Sequence, residues 1–315
     1  MGCRLSVVSG SLPIVSGVLN VNKPAGPTSF DIVRLVRKGT GAKKAGHAGT
    51  LDPMASGVLL VLLGQAVRIS EYLMDLPKTY RATVRLGFAT ETYDAEGNPT
   101  GPERAVEVMR GEVESALQVF AGEIEQTPPA YSAVKVDGQP AYRLARKGAA
   151  VALRSRLARI YAIRLLEFES PEVVIEVECG KGTYIRSLAH DLGQALGCGG
   201  HLVALDRTRV GQFSVDSAVA PTELVGAFET GDWREMVLPL DCGLTELPAI
   251  TLHIEDEKDI RHGQAVRIDE ERLTSAAVED GRLHRAYAED GGLVAVVVYE
   301  GATGLWRPRK VFGSD

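Results

Sequence analysis

The sequence predicts an α+β (mixed α/β) chain. A large domain over residues 1–245 would be built on a largely antiparallel central sheet, and a small β-rich domain over 246–315 would follow it. Three observations carry this. The stretches "KTYRATVRLG" (78–87) and "EVVIEVEC" (172–179) alternate apolar and polar residues with the period of half-buried strands. Few segments carry the helical period, and start or stop signals bound them. After "LPLDCGLTELP" (238–248) the composition turns acidic, and short strands follow, the clearest being "LVAVVVYE" (293–300).

Taken in order, "GVLNVNKP" (17–24) reads as a strand stopped by Pro24. "TSFDIVRLVRK" (28–38) reads as a helix capped by Thr28, with Asp31 as the capping-box acid. A glycine-rich loop, "GHAGTLDPMASG" (46–57), comes next. "VLLVLL" (58–63) is either a fully buried strand or the start of a helix, which periodicity does not decide. "QAVRISEYLM" reads as helical. In the strand from Lys78, residues Tyr80, Ala82, Val84 and Leu86 share the apolar face. Residues 90–104 form a turn-rich loop, and Val106, Met109, Val113 and Leu117 mark a helix running to about Phe120. The segment 126–150, punctuated by Pro128, Pro129, Gly138, Pro140 and Gly148, reads as a long basic loop too polar for the core. Such a loop in a compact domain usually has a function. "TYIRSLAHDLGQAL" (183–196) is a helix stopped by Gly197, with Arg186 in its first turn just past a strand–glycine junction.

No run of this 315-residue chain approaches the ~20 apolar residues of a membrane span. The N-terminus reads as lacking a signal peptide, and Cys3, Cys179, Cys198 and Cys242 form no C-x-x-C pair. A cytoplasmic monomer with reduced thiols is expected. Net charge is −6, which by itself speaks against a polyanion partner. Its distribution speaks for one. The segment 131–164 holds eight bases (Lys135, Arg143, Arg146, Lys147, Arg154, Arg156, Arg159, Arg164) against Asp137. The segment 20–48 holds six (Lys23, Arg34, Arg37, Lys38, Lys43, Lys44) against Asp31. Two such segments suit a nucleic-acid track, or else two solvated basic loops.

The loop 46–57 holds either a phosphate or a reactive side chain. The chain has no G-x-x-x-x-G-K-[ST], no dinucleotide fingerprint, no H-E-x-x-H and no acidic cluster at magnesium spacing. Asp52, flanked by small residues, then suits attack on a bound substrate or proton transfer at it; the plain alternative is a turn cap before Pro53.

"GHAGTLDPMASGVLLVLLGQAVRISEYL" closely resembles the signature of the TruB family of tRNA pseudouridine synthases. "GVLNVNKPAGPTSFDIVRLVRK", "KTYRATVRLG", "QTPPAYSAVKVDGQPAYRLARKG" and "VECGKGTYIRSLAHDLGQALGCGGHLVALDRTRVGQF" are similar, in order, to its lysine–proline, tyrosine, RNA-insertion and arginine–leucine motifs. The tail from Ile260 resembles, more loosely, a PUA-like RNA-binding domain. The resemblance implies the pseudouridine synthase fold and isomerisation of uridine at position 55 in the T loop of tRNA, with the T-arm stem-loop as partner and no metal, nucleotide or other cofactor. It also implies roles. Asp52 is the reactive carboxylate, adding covalently or abstracting a sugar proton. Arg186 pairs with Asp52 and keeps it ionised. Tyr80 lies against the uracil, Leu205 walls the pocket and His47 stacks into the gap left by the extracted nucleotide. Tyr184, Lys23, Arg68, Lys135, Arg143, Arg146 and Lys147 complete the RNA-binding set, Lys23 chiefly as a brace for the loop. Relatives often carry lysine where Arg68 stands, and arginine keeps the charge for a phosphate. Other readings are the catalytic subunit of a guide-RNA-dependent synthase, or an RNA chaperone. A nucleoside glycosidase would want a second carboxylate, for which Asp31 is the one candidate near Asp52 in the sequence.

Overall fold

The alternating stretches of the sequence become neighbours in space. The structure, a computed structural model, describes residues 15–131, 135–136, 138–141, 153–268 and 279–313. Its first half contains β1 (Gly17–Lys23), α1 (Ser29–Thr40), β2 (Ala45–His47), β3 (Ser56–Leu63), α2 (Ser70–Asp75), β4 (Lys78–Leu86), α3 (Arg110–Gln118), β5 (Gly122–Gln126), β6 (Lys135–Val136) and β7 (Gln139–Pro140). Then come β8 (Arg156–Glu169), β9 (Glu172–Cys179), α4 (Ile185–Ala195), β10 (Gly200–Val210), β11 (Phe213–Ser214) and α5 (Pro221–Thr230). The chain ends with β12 (Ala249–Thr251), α6 (Ile254–Arg261), β13 (Leu283–Tyr287), β14 (Leu293–Glu300) and β15 (Leu305–Val311).

The main sheet runs β1-β3-β10-β4-β9-β8-β5, with β2 on β3 and β11 on β10. Every pairing in it is antiparallel except β3 with β10. "VLLVLL" lies in strand β3 because both faces of the sheet are covered there. Leu59, Val61 and Leu63 enter one hydrophobic cluster with α1, β4 and β9, while Val58, Leu60 and Leu62 enter a second. A run apolar on both faces suits a buried central strand.

Helix α1 begins as its capping box requires: the Thr28 hydroxyl accepts from the Asp31 amide and the Asp31 carboxylate from the Thr28 amide. Two boundaries differ from the sequence reading. Residues Gly64–Ile69 form a 3₁₀ turn before α2. Helix α3 starts at Arg110, because the Glu112 side chain accepts from the Met109 amide at 2.7 Å and fixes the first turn there; Val106 and Val108 pack on the core ahead of it.

The second sheet runs β12-β13-β14-β15 around Ile250, Ile260, Val297 and Trp306. It docks on the main sheet through Val296 and Phe312, which join the cluster of Val58, Leu60 and Leu62. Gln65 and the Gly313 backbone exchange two hydrogen bonds, of 2.9 and 2.7 Å. Arg68 donates to the Val311 carbonyl and lies over the Phe312 ring. Its guanidinium therefore ties the two sheets together while remaining exposed. Among the described residues, no helix is long and apolar enough to cross a membrane.

Candidate active site

The site forms where β3 changes partner. β1 occupies one edge of β3 along its whole length. On the other edge, Ser56 and Gly57 pair with Asp206 and Arg207 of β10, whereas Val61–Leu63 pair with β2. Residues 48–55 cross the fork between β10 and β2. Arg207, 1% exposed, fills it: Nε donates to the Val58 carbonyl at 2.7 Å, and its terminal nitrogens to Gly49 at 3.1 Å and Thr50 at 3.4 Å. Across the sheet Arg207 is the register partner of Tyr80, and its charge opposes the upward push that burial gives the phenol.

Every turn of the loop is held. The Ser29 hydroxyl donates to the Leu51 carbonyl at 2.9 Å and accepts from the Leu51 amide at 2.8 Å. The Pro53 carbonyl accepts from the Gly26 amide at 2.8 Å. Lys23, fully buried, donates to the carbonyls of Pro24, Pro53 and Ala55 at 2.8, 3.3 and 2.7 Å. Burial lowers its ammonium to about 8. Lys23 thus has no donor left for RNA; it is the brace. Lys23→Met should cost about 1–3 kcal/mol of stability by stripping donors from these carbonyls, and lower the activity expected from the sequence while affinity for the expected RNA holds. Urea melts beside a binding titration check this; weakened binding at unchanged stability would contradict it.

The Asp52 side chain, 37% exposed, meets Arg186 Nε at 2.9 Å. Arg186 sits in the first turn of α4, buried, and its other nitrogens reach the Asp94 carboxylate at 3.1 Å and the Tyr131 carbonyl at 3.1 Å. The pairing with Asp52 matches the sequence reading, but Arg186 is not a counter-charge for Asp52 alone. Asp94 shares it. Burial pushes the Asp52 carboxyl above its usual range; Arg186 opposes this and Asp94 adds to it. Asp94 also corrects the second-carboxylate reading, since Asp31 is spent on its cap.

Leu205 is buried on β10. His47 ends β2; burial, then Arg207, depresses its imidazole, and its buried Nδ1 has no partner among the described residues. The Tyr184 backbone exchanges two bonds with the buried Gln126 side chain, and its ring lies beneath Arg156. Pro128 and Pro129 are buried, so the segment 126–150 begins inside the core rather than as a solvated loop. Lys135 lies in the β6–β7 hairpin, its side chain outside the description; Arg143, Arg146 and Lys147 lie outside the described residues.

Sequence reasoning missed Asp94 and Arg207. Asp94 lay in a stretch whose turn-forming composition accounted for every residue. Arg207 carried a usable signal, an arginine with the strand parity of Leu205.

These features, a mostly antiparallel sheet with one half-exposed carboxylate held by a buried arginine beside a strand tyrosine, define a class that comparison identifies. The chain is similar to a solved H/ACA RNP bound to a substrate RNA containing 2'-deoxyuridine (TM-score 0.72, 27% identity, 95% of this chain and 85% of that one). It is similar also to a Cbf5-Nop10-Gar1 complex (TM-score 0.70, 31% identity, 90% and 78%). The model of the TruB family pseudouridylate synthase N-terminal domain matches residues 37–185, and that of the tRNA pseudouridylate synthase B C-terminal domain matches 186–245. The class is that of the pseudouridylate synthases. Proteins named tRNA pseudouridine synthase B are 41% identical over 298 residues in Dehalococcoides mccartyi (95% of this chain, 97% of the relative) and 43% identical over 303 residues in Ralstonia nicotianae (94% and 94%). This chain belongs to the TruB family.

Proposed function

We propose that the protein isomerises uridine to pseudouridine at position 55 in the T loop of tRNA, in the cytoplasm and as a monomer, with Asp52 as the reactive group. The observation that carries this is the Asp52–Arg186 pair at 2.9 Å on a loop whose backbone is fixed from three directions. In the reaction the C1′–N1 bond breaks, the freed uracil turns, C5 bonds to C1′, and the C5 proton leaves as N1 gains one. Asp52 attacks C1′ or takes a sugar proton; both need the carboxylate ionised and pointed at the ribose. Fixing its backbone removes the orientational cost of reaching that geometry.

Tyr80 would lie against the uracil and relay the C5 proton, with the Arg207 charge beside its phenol favouring the ionised form. Leu205 walls the base. His47, neutral and with its Nδ1 unpartnered in the protein, suits the gap the extracted nucleotide leaves. The acidic small sheet would serve as a PUA-like accessory to RNA binding. The curated relatives span nearly the whole chain and carry tRNA in their names, which favours a standalone enzyme over a guide-dependent subunit. Tritium at C5 of uridine tests this: a tRNA transcript so labelled should release it to water with no guide RNA present. No release without a guide would favour the alternative.

A pH dependence follows from the raised Asp52 carboxyl. Because the ionised form reacts, activity falls as pH drops through that raised pKa, placing the acid limb of kcat/KM above 3.8. Stability runs oppositely. A carboxyl raised by folding contributes most below 3.8, and the contribution is lost as pH climbs through the folded value. Asp94→Asn removes one of the groups that raise Asp52, so the acid limb should move down while kcat falls for want of Arg186's anchor. A pH–rate series on both proteins checks this, and an unmoved limb would contradict it.

A further inference from the structure

The outer face of α1 holds a feature the mechanism does not use. Phe30 is 63% exposed in the first turn, and Arg34 lies over its ring at 5.5 Å. A single exposed apolar side chain is ordinary. Phe30 differs in its position and in its neighbours along the helix. Ser29, the residue before it, grips Leu51, the residue before Asp52, so the first turn that carries the ring is tied to the loop that carries the carboxylate. Farther along α1, Arg34, Arg37 and Lys38 continue the same exposed face at offsets of four, seven and eight residues. Lys43 and Lys44 then lead into β2 and His47.

These bases are nearly free of counter-charge. Arg34 touches Asp31 only at 3.5 Å, and no ion pair among the described residues includes Arg37, Lys38, Lys43 or Lys44. Some exposed arginines elsewhere are neutralised, as in Arg81–Glu167, Arg85–Glu103, Arg110–Glu114 and Arg164–Glu176, whereas here five bases close together in the sequence lack a close partner. A basic stripe without close counter-charge, headed by an exposed aromatic ring on the helix that is tied to the Asp52 loop, calls for a polyanion with π-faces. From Phe30 to Lys38 the helix rises about 12 Å, the axial rise of three to four stacked nucleotides.

We propose that this face of α1 is an RNA docking surface. Phe30 stacks on a base of the strand flanking the extracted nucleotide, and Arg34, Arg37, Lys38, Lys43 and Lys44 follow its phosphates. The proposal rests on the pseudouridine-synthase reading and adds the contact that holds the loop open.

The test is binding of an unmodified T-arm stem-loop across a salt series. Phe30→Ala should raise Kd about 5- to 150-fold, as loss of one stacked base does, with the salt slope and the Tm of the free protein unchanged. Phe30→Trp should restore affinity. The triple variant Arg34→Gln, Arg37→Gln, Lys38→Gln should flatten the log–log slope by about 2–3. Wild-type affinity in Phe30→Ala, or an equal loss in Phe30→Trp, would overturn the proposal, as would capture of the protein by phosphatidylserine vesicles without any Phe30 effect on RNA. Mapping the product of the wild-type enzyme separates this from the reading beneath it. Pseudouridine outside the T loop would refute the assignment to position 55, while the Phe30 effect, remeasured on the RNA actually modified, would stand or fall by itself.

Discussion

Asp52→Asn eliminates turnover and leaves the fold and the affinity for tRNA in place. The amide keeps the shape of the carboxylate but neither attacks C1′ nor accepts a sugar proton, so both available routes stop. By comparison with removal of the reactive group from other enzymes, the fall should be on the order of 10⁴- to 10⁶-fold. Stability should move by no more than about 1–2 kcal/mol. Arg186 is not left as a bare buried charge, because Asp94 remains at 3.1 Å. The ionised carboxylate that is lost was itself held against burial, as its raised pKa indicates. RNA affinity, which comes mainly from phosphates and stacked bases, should persist. A turn cap in the role of Asp52 would lose only one weak hydrogen bond, and activity would fall modestly. Single-turnover kinetics beside a binding isotherm and a melt separate the two cases.

Gly57→Ala should have the largest effect on the fold. Gly57 has φ +101°, where an L side chain is strained, and a Cβ there would lie 2.3 Å from the Arg207 carbonyl oxygen and 2.4 Å from Asp206 Oδ1. The crowding atom is backbone of the neighbouring strand, which cannot rotate away. Strain and overlap together should cost about 3–5 kcal/mol, a large share of the ~5–15 kcal/mol that ordinary proteins have. The one parallel contact of the main sheet, Ser56–Gly57 on Asp206–Arg207, would part, and Arg207 would be levered from the loop. Gly26→Ala is the control: its φ is also positive, at +110°, but its Cβ would meet nothing within 4 Å, so only the strain applies. Denaturant midpoints for the two variants should differ clearly. Equal losses would show that conformational strain, not the close approach of β10, makes glycine necessary at position 57.

The fold was legible where local chemistry decides. Thr28 and Asp31 placed the start of α1, the parity of Tyr80, Ala82 and Val84 placed a strand face, and Gly197 ended α4. It was illegible where tertiary burial decides. Nothing in "VLLVLL" shows that two apolar layers will enclose β3, and the repeat from Val106 cannot show that Glu112 will cap Met109 instead. The candidate site divides similarly. Asp52, Tyr80 and Arg186 stood in motifs. Asp94 entered through a fold-back of the loop onto Leu202, whose amide donates to the Tyr93 carbonyl at 3.0 Å, a contact over a hundred residues of separation that no local pattern encodes. Lys23 was read by its charge, whereas its position under the loop spends its three donors on backbone carbonyls; the place of Arg68 at a junction of two sheets was likewise not visible in its charge.

The most direct test of the central claim is position-resolved mapping of pseudouridine in an unmodified tRNA transcript, incubated with wild-type protein or with folded Asp52→Asn and without guide RNA. The account predicts one new pseudouridine, at position 55 of the T loop, with the wild type, and none with the variant. A modified residue 55 formed by Asp52→Asn at a rate near wild type would contradict it.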